Sequence, residues 1–130
     1  MAETSKCVTI SIGQVQITVT IIKIYVYRDG VATGTIYKGE DLSRYQFRAD
    51  LTVSGGTPNT ITMVIYLGKD QNSLVEIGRG SIPGYSGSFA MALDGKTLMD
   101  LYGYSTTDDI LNKAGVSTQT SCAYCVKIIW

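Results

Sequence analysis

Apolar and polar residues alternate one for one through most of this 130-residue chain, and no other feature of the sequence restricts its fold as much. Side chains two apart on an extended strand share a face, so a period of two marks a sheet with one side buried. The cleanest case is Tyr45, Phe47, Ala49, Leu51 and Val53 against Gln46, Arg48, Asp50 and Thr52. Thr60–Leu67 repeats it with Ile61, Met63, Ile65 and Leu67 inward, and the intervening Ser54–Asn59 is rich in turn formers. Residues 45–67 are therefore expected to form an antiparallel hairpin. At the C-terminus Cys122, Tyr124, Val126, Ile128 and Trp130 oppose Ala123, Cys125, Lys127 and Ile129, which puts Cys125 on the more solvent-like face beside Lys127.

Elsewhere the pattern is interrupted in informative ways. Val8, Ile10 and Ile12 share a face, and Val15, Ile17, Val19 and Ile21 share another. After the Ile21-Ile22 doublet the apolar parity switches to Ile22, Ile24 and Val26, the signature of a β-bulge, and a bend there is expected to let one strand serve both sheets. Asp29-Gly30 predicts a turn, Val31–Lys38 a weaker strand, Leu74–Ile77 a short one, and Phe89, Met91 and Leu93 another. Gly78 to Gly87 carries four glycines and Pro83 and reads as a surface loop, whereas the mostly apolar run Lys96–Tyr104 could be a strand buried on both faces, which periodicity does not settle. One passage is helical, near residues 105–115: Ser105 or Thr107 can cap, Asp108 and Asp109 suit the positive end of the dipole, Lys113 suits the negative end, and Gly115 suits the exit. Seven to nine short strands with one short helix predict an all-β fold, a single jelly-roll-like β-sandwich domain over residues 1–130 with a short N-terminal arm at 1–7.

Composition then narrows function. No His is present, which removes His-based acid/base catalysis, Ser-His-Asp and Cys-His nucleophiles, and His-containing metal sites. Eleven basic residues balance eleven acidic ones, leaving no charge excess with which to hold nucleic acid or an anionic membrane surface. The most apolar stretch, Val15–Tyr27, is interrupted by Gln16, Thr18, Thr20 and Lys23 and is too short to span a bilayer, so no membrane insertion is expected. Met1–Lys6 lacks a basic segment followed by an apolar run, hence no secretory signal and synthesis in the cytoplasm, with a cell, spore or particle surface open as a destination. Gly95-Lys96-Thr97 lacks the upstream glycine of a phosphate loop, since Ala90 stands there, and Asp70-Gln71-Asn72 lacks calcium-loop spacing. Two carboxylates could hydrolyse a glycoside without His, yet Glu40-Asp41 and Asp108-Asp109 read as solvated or capping groups. Neither a catalytic set nor a cofactor or metal site is expected.

Two residue types remain. Of nine tyrosines, Tyr85, Tyr102 and Tyr104 fall near loops, where they could stack on sugars as a lectin or lectin-like toxin would. Cys7, Cys122 and Cys125 are an odd number. Cys122 and Cys125, about 10 Å apart on an extended strand, exceed the roughly 7 Å a disulfide spans, so the three thiols are either inert and packed or cross-link subunits.

Phe47-Arg-Ala-Asp-Leu-Thr-Val53, Thr60-Ile-Thr-Met-Val-Ile-Tyr-Leu-Gly68, Ser86-Gly-Ser-Phe-Ala-Met-Ala-Leu93 and Ala123-Tyr-Cys-Val-Lys-Ile-Ile129 together resemble the jelly-roll subunits of endospore appendage fibres. The resemblance implies a subunit whose N-terminal arm docks on its neighbour, with Cys7 as the arm thiol and Cys125, in the last strand, as a candidate partner, Cys122 being the second choice. The resulting expectation is a non-enzymatic structural subunit, its partner a further copy of itself, that assembles through strand edges. A carbohydrate-binding module and a viral coat subunit are the alternatives.

Overall fold

A computed structural model describes residues 10–13, 16–116 and 123–130. In chain order the elements are β1 (Ile10–Ile12), β2 (Thr18–Arg28), β3 (Val31–Thr33), a 3-10 turn at Leu42–Arg44, β4 (Tyr45–Ser54), β5 (Thr60–Gly68), β6 (Val75–Pro83), β7 (Gly87–Asp94), α1 (Gly95–Tyr102), α2 (Thr107–Lys113) and β8 (Ala123–Ile129). They build two four-stranded sheets, ordered β1-β8-β5-β6 and β3-β2-β4-β7. All pairings are antiparallel except β1 with β8.

The alternation on β4 does what its spacing dictates. Tyr45, Phe47, Ala49, Leu51 and Val53 are all at most 2% exposed, and they face Ile61, Met63, Ile65, Leu67, Tyr124, Val126 and Ile128 from the other sheet in one core. The Phe47 and Tyr124 rings meet across the layers at 5.6 Å, and the Tyr124 hydroxyl reaches the Arg48 carbonyl at 3.3 Å. Asp29-Gly30, with φ of 53° and 78°, closes the β2–β3 hairpin in two residues, as a type I′ turn requires.

Five expectations are corrected. β4 and β5 are not a hairpin: β4 pairs with β2 and β7, β5 with β6 and β8, and Ser54–Asn59 carries the chain from one sheet to the other. Alternation looks the same whether two strands pair side by side or stack face to face. The bulge lies at Ile21/Lys23 as the parity switch predicts, but β2 stays within one sheet; the extra residue, Ile22, is 61% exposed, and Ile24 and Val26 return to the core. Residues 78–83 belong to β6 rather than to a loop. Their glycines serve packing: a Cβ on Gly78 would stand 2.3 Å from Leu98 Cδ2 of α1, so the missing side chain is what admits the helix. Lys96–Tyr102 is part of helix α1 instead of a doubly buried strand, with Leu98 inward, Leu101 outward, and Gly103 in the left-handed region at φ 76° ending it. Val31–Lys38 contributes only the three residues of β3.

Helix α2 falls inside the predicted passage, though Thr106 rather than Ser105 or Thr107 takes the N-cap. The Asp109 carboxylate reaches back to the Ser105 and Thr106 amides at 2.7 and 3.3 Å, and Gly115 has φ 73° just beyond the exit.

Candidate functional site

Three regions concentrate polar or aromatic chemistry: an ion network at one end of β2, the outer face of the β3-β2-β4-β7 sheet, and the sheet edges.

Glu40 centres the first. The Arg28 guanidinium donates to both its oxygens, Nε to Oε1 at 2.9 Å and NH2 to Oε2 at 2.6 Å. Arg44 NH1 donates to Oε2 at 2.7 Å, and the Tyr45 hydroxyl donates to Oε1. Hydrogen bonding from Arg28 comes first in lowering the Glu40 carboxyl to about 2, against the opposing cost of its burial. Burial, then Glu40, pushes the Tyr45 hydroxyl up to about 12. The Glu40 amide donates to Thr107 Oγ1 at 3.1 Å and the Gly39 amide to Asp108 Oδ1 at 3.1 Å, which ties the loop to α2. Asp41 caps the 3-10 turn through the Ser43 amide at 2.9 Å. Glu40 is thus no solvated loop acid, with its side chain only 16% exposed, and both its oxygens are engaged by cations or a hydroxyl. A carboxyl held ionised to about pH 2 is no general acid near neutrality.

On the outer sheet face, register sets two rows. Tyr27, Gln46 and Asp94 lie side by side across β2, β4 and β7; Tyr25, Arg48 and Ala92 form the next row. Gln46 Nε2 donates to Asp94 Oδ1 at 2.8 Å. The Tyr25 hydroxyl donates to the Asp50 carboxylate at 3.1 and 3.2 Å and is pushed up to about 12, chiefly by burial. The Arg48 guanidinium lies 5.5 Å and 5.8 Å from the Tyr25 and Tyr27 ring centres. Arg48 Nε is buried without a hydrogen bond and stands 3.5 Å from Asp50 Oδ1. An open cleft of about 630 Å³ runs over this face, lined by Tyr27, Arg44, Gln46, Arg48, Asp94 and Lys96 among others.

The edges differ sharply. β1 and β3 have three residues each. β6 is longer, but tyrosines cover its free side: the Tyr104 hydroxyl donates to the Ile77 carbonyl at 2.8 Å, and the Arg79 amide donates to the Tyr102 hydroxyl at 2.8 Å. β7 pairs with β4 alone, and among the described residues no hydrogen bond reaches the outer side of its eight-residue backbone.

Comparison with protein families, with characterised proteins and with solved structures finds no match.

The candidates from the sequence are placed as follows. Tyr102 and Tyr104 stack at 5.9 Å, but their hydroxyls are committed to the β6 backbone, whereas Tyr85 is 55% exposed and packs edge-on against Phe89. Cys125 is 2% exposed and is not a free thiol, which corrects its expected accessibility: the outer face of β8 near Lys127 does not leave it open to solvent. Cys7, Cys122 and the arm at 1–7 lie outside the described residues. Among the described residues no group of three or more His, Cys, Asp or Glu could hold a metal ion, and no helix is long and apolar enough to cross a membrane. The Arg48 row was missed because its signal is register: Tyr25, Tyr27, Gln46 and Arg48 were legible as outward residues, but not as neighbours.

Proposed function

We propose that this chain is a non-enzymatic structural subunit that assembles with copies of itself through the outer edge of β7. One observation carries the reading: β7 is an eight-residue edge with no Lys, Arg or Pro in Gly87–Leu93, whereas β6, the long edge of the other sheet, is closed by Tyr102 and Tyr104, and the edge of β2 left open beyond β3 carries Lys23. An exposed edge without guarding charge invites another strand, and proteins that must stay monomeric blunt such edges. Ser88, Ala90 and Ala92 keep its outer side chains small, so a second strand meets no steric bar. Two β7 strands paired antiparallel would form on the order of eight hydrogen bonds, each about 0.5–1.5 kcal/mol net. Set against an association cost of about 4–15 kcal/mol, this makes assembly dependent on concentration.

The run from β4 to β8 changes sheet between β4 and β5, between β6 and β7, and again before β8, which supports a jelly-roll-like reading of the two layers. Disulfides between subunits are not required. A neighbour's Cys7 could reach the buried Cys125 only by opening the sheet.

Sedimentation of the full chain across a concentration series tests the proposal. Large or dimeric species are expected to give way to monomer in Ala90→Lys, whose added charges face each other near the centre of an antiparallel β7–β7 pair. A wild-type chain that stays monomeric, or a variant that assembles equally well, overturns it.

A further inference from the structure

We propose that the outer face of β2, β4 and β7 binds an acidic sugar, with its carboxylate on Arg48, its ring on Tyr27 and its hydroxyls on Asp94 and Gln46. The inference stands independently of β7 pairing. It begins with the Arg48 guanidinium, which ion-pairs with Asp50 at 3.5 Å and lies over the Tyr25 and Tyr27 rings but, among the described residues, makes no hydrogen bond. Asp50 is turned instead toward the Tyr25 hydroxyl. Arg44, in the same cleft, has all three guanidinium nitrogens engaged by Asp29 and Glu40. The two arginines therefore differ: Arg44 closes a hydrogen-bonded network, whereas the terminal nitrogens of the part-exposed Arg48 make no hydrogen bond among the described residues and suit a carboxylate.

The neighbours define the rest of the ligand. Asp94 stands at the N-cap of α1 but makes no side-chain cap; its Oδ1 accepts from Gln46 while Oδ2 has no hydrogen bond among the described residues. A free carboxylate oxygen requires hydrogen-bond donors on the ligand, as sugar hydroxyls are, and it repels a phosphate with two negative charges. Tyr27 adds an aromatic surface next to Gln46, and Ala92 beside Arg48 leaves a shallow floor. Neighbouring strands are about 4.8 Å apart and residues two apart on a strand about 6.8 Å, so the two rows cover an area of about 10 by 7 Å. That is the footprint of one sugar ring with its substituents. Arg48, acceptor Asp94 and Tyr27 within one such footprint match a carboxylate, a hydroxyl and an apolar ring face on the same small molecule.

The test is an NMR titration of the full chain with glucuronic acid, with glucose and acetate as controls. Glucuronic acid is expected to produce saturable shifts at Arg48 and Tyr27 with a dissociation constant on the order of 1 mM. Glucose and acetate should each bind about tenfold more weakly or not at all. Arg48→Gln should weaken glucuronic acid about tenfold, and Arg48→Lys, which keeps charge and bulk but loses the fork, several-fold. Tyr27→Ala should also weaken it, in a chain whose remaining spectrum is unchanged. Absence of saturable shifts overturns the proposal, as does a folded Arg48→Lys chain that binds like wild type. Acetate binding as well as glucuronic acid would reduce the site to a bare anion contact and overturn the sugar assignment.

Discussion

Replacing Glu40 by Gln should cost stability in a way that pH reveals. In the folded chain the Glu40 carboxyl lies at about 2 against an ordinary 4.5, with the Arg28 hydrogen bonds as the leading cause. At about 1.36 kcal/mol per pH unit the shift corresponds to about 3 kcal/mol. Arg28 and Arg44 are about a third exposed, so water screens the pairs and the expected figure falls to on the order of 1–2 kcal/mol. A carboxyl lowered on folding stabilises the native state above its unfolded value. The contribution is whole above about pH 4.5 and is lost as pH falls towards about 2. Urea unfolding of wild type and Glu40→Gln at intervals from pH 7 to pH 2 measures it. The variant should be less stable by that amount at pH 7, and the gap should close towards pH 2. A gap below about 0.3 kcal/mol at pH 7, or one that stays constant with pH, would refute the reasoning, since neither can arise from a carboxylate held by two cations.

Other perturbations test the packing and the edges. Gly95→Ala places a Cβ 1.8 Å from the Leu42 carbonyl oxygen, a backbone atom that cannot rotate away, so a loss of about 3 kcal/mol or more is expected in denaturant unfolding. Asp109→Ala removes the contacts to the Ser105 and Thr106 amides and should lower the denaturation midpoint, measured the same way. Tyr102→Phe with Tyr104→Phe uncovers the β6 edge, and light scattering should then show larger or less soluble species than wild type forms at equal concentration.

The sequence is most readable where one residue's role is decided by its own strand. On β4 and β8 the parity alone picks out Phe47, Leu51, Tyr124 and Ile128, and the doublet at Ile21-Ile22 marks the bulge. What strands do to each other is hidden. Tyr45–Val53 and Thr60–Leu67 face across the core instead of pairing, and nothing in two alternating runs distinguishes those arrangements. Gly78 misleads because glycine serves turns and close approaches alike, and here it makes room for Leu98. Lys96–Tyr104 is too short and too apolar for periodicity to separate a helix from a buried strand. The candidate site depends almost wholly on such relations. Glu40 acquires its partners from β2 and β4, and Arg48 acquires Tyr25 and Tyr27 by register.

Amide hydrogen exchange at low and high protein concentration tests self-assembly through β7 most directly. In a β7–β7 pair the outward amides of Gly87–Asp94 become hydrogen-bonded, so their exchange should slow markedly as the sedimenting species grows, while the β6 amide of Arg79, already held by Tyr102, should change little. Large particles whose β7 amides exchange as fast as those of the monomer would contradict the account.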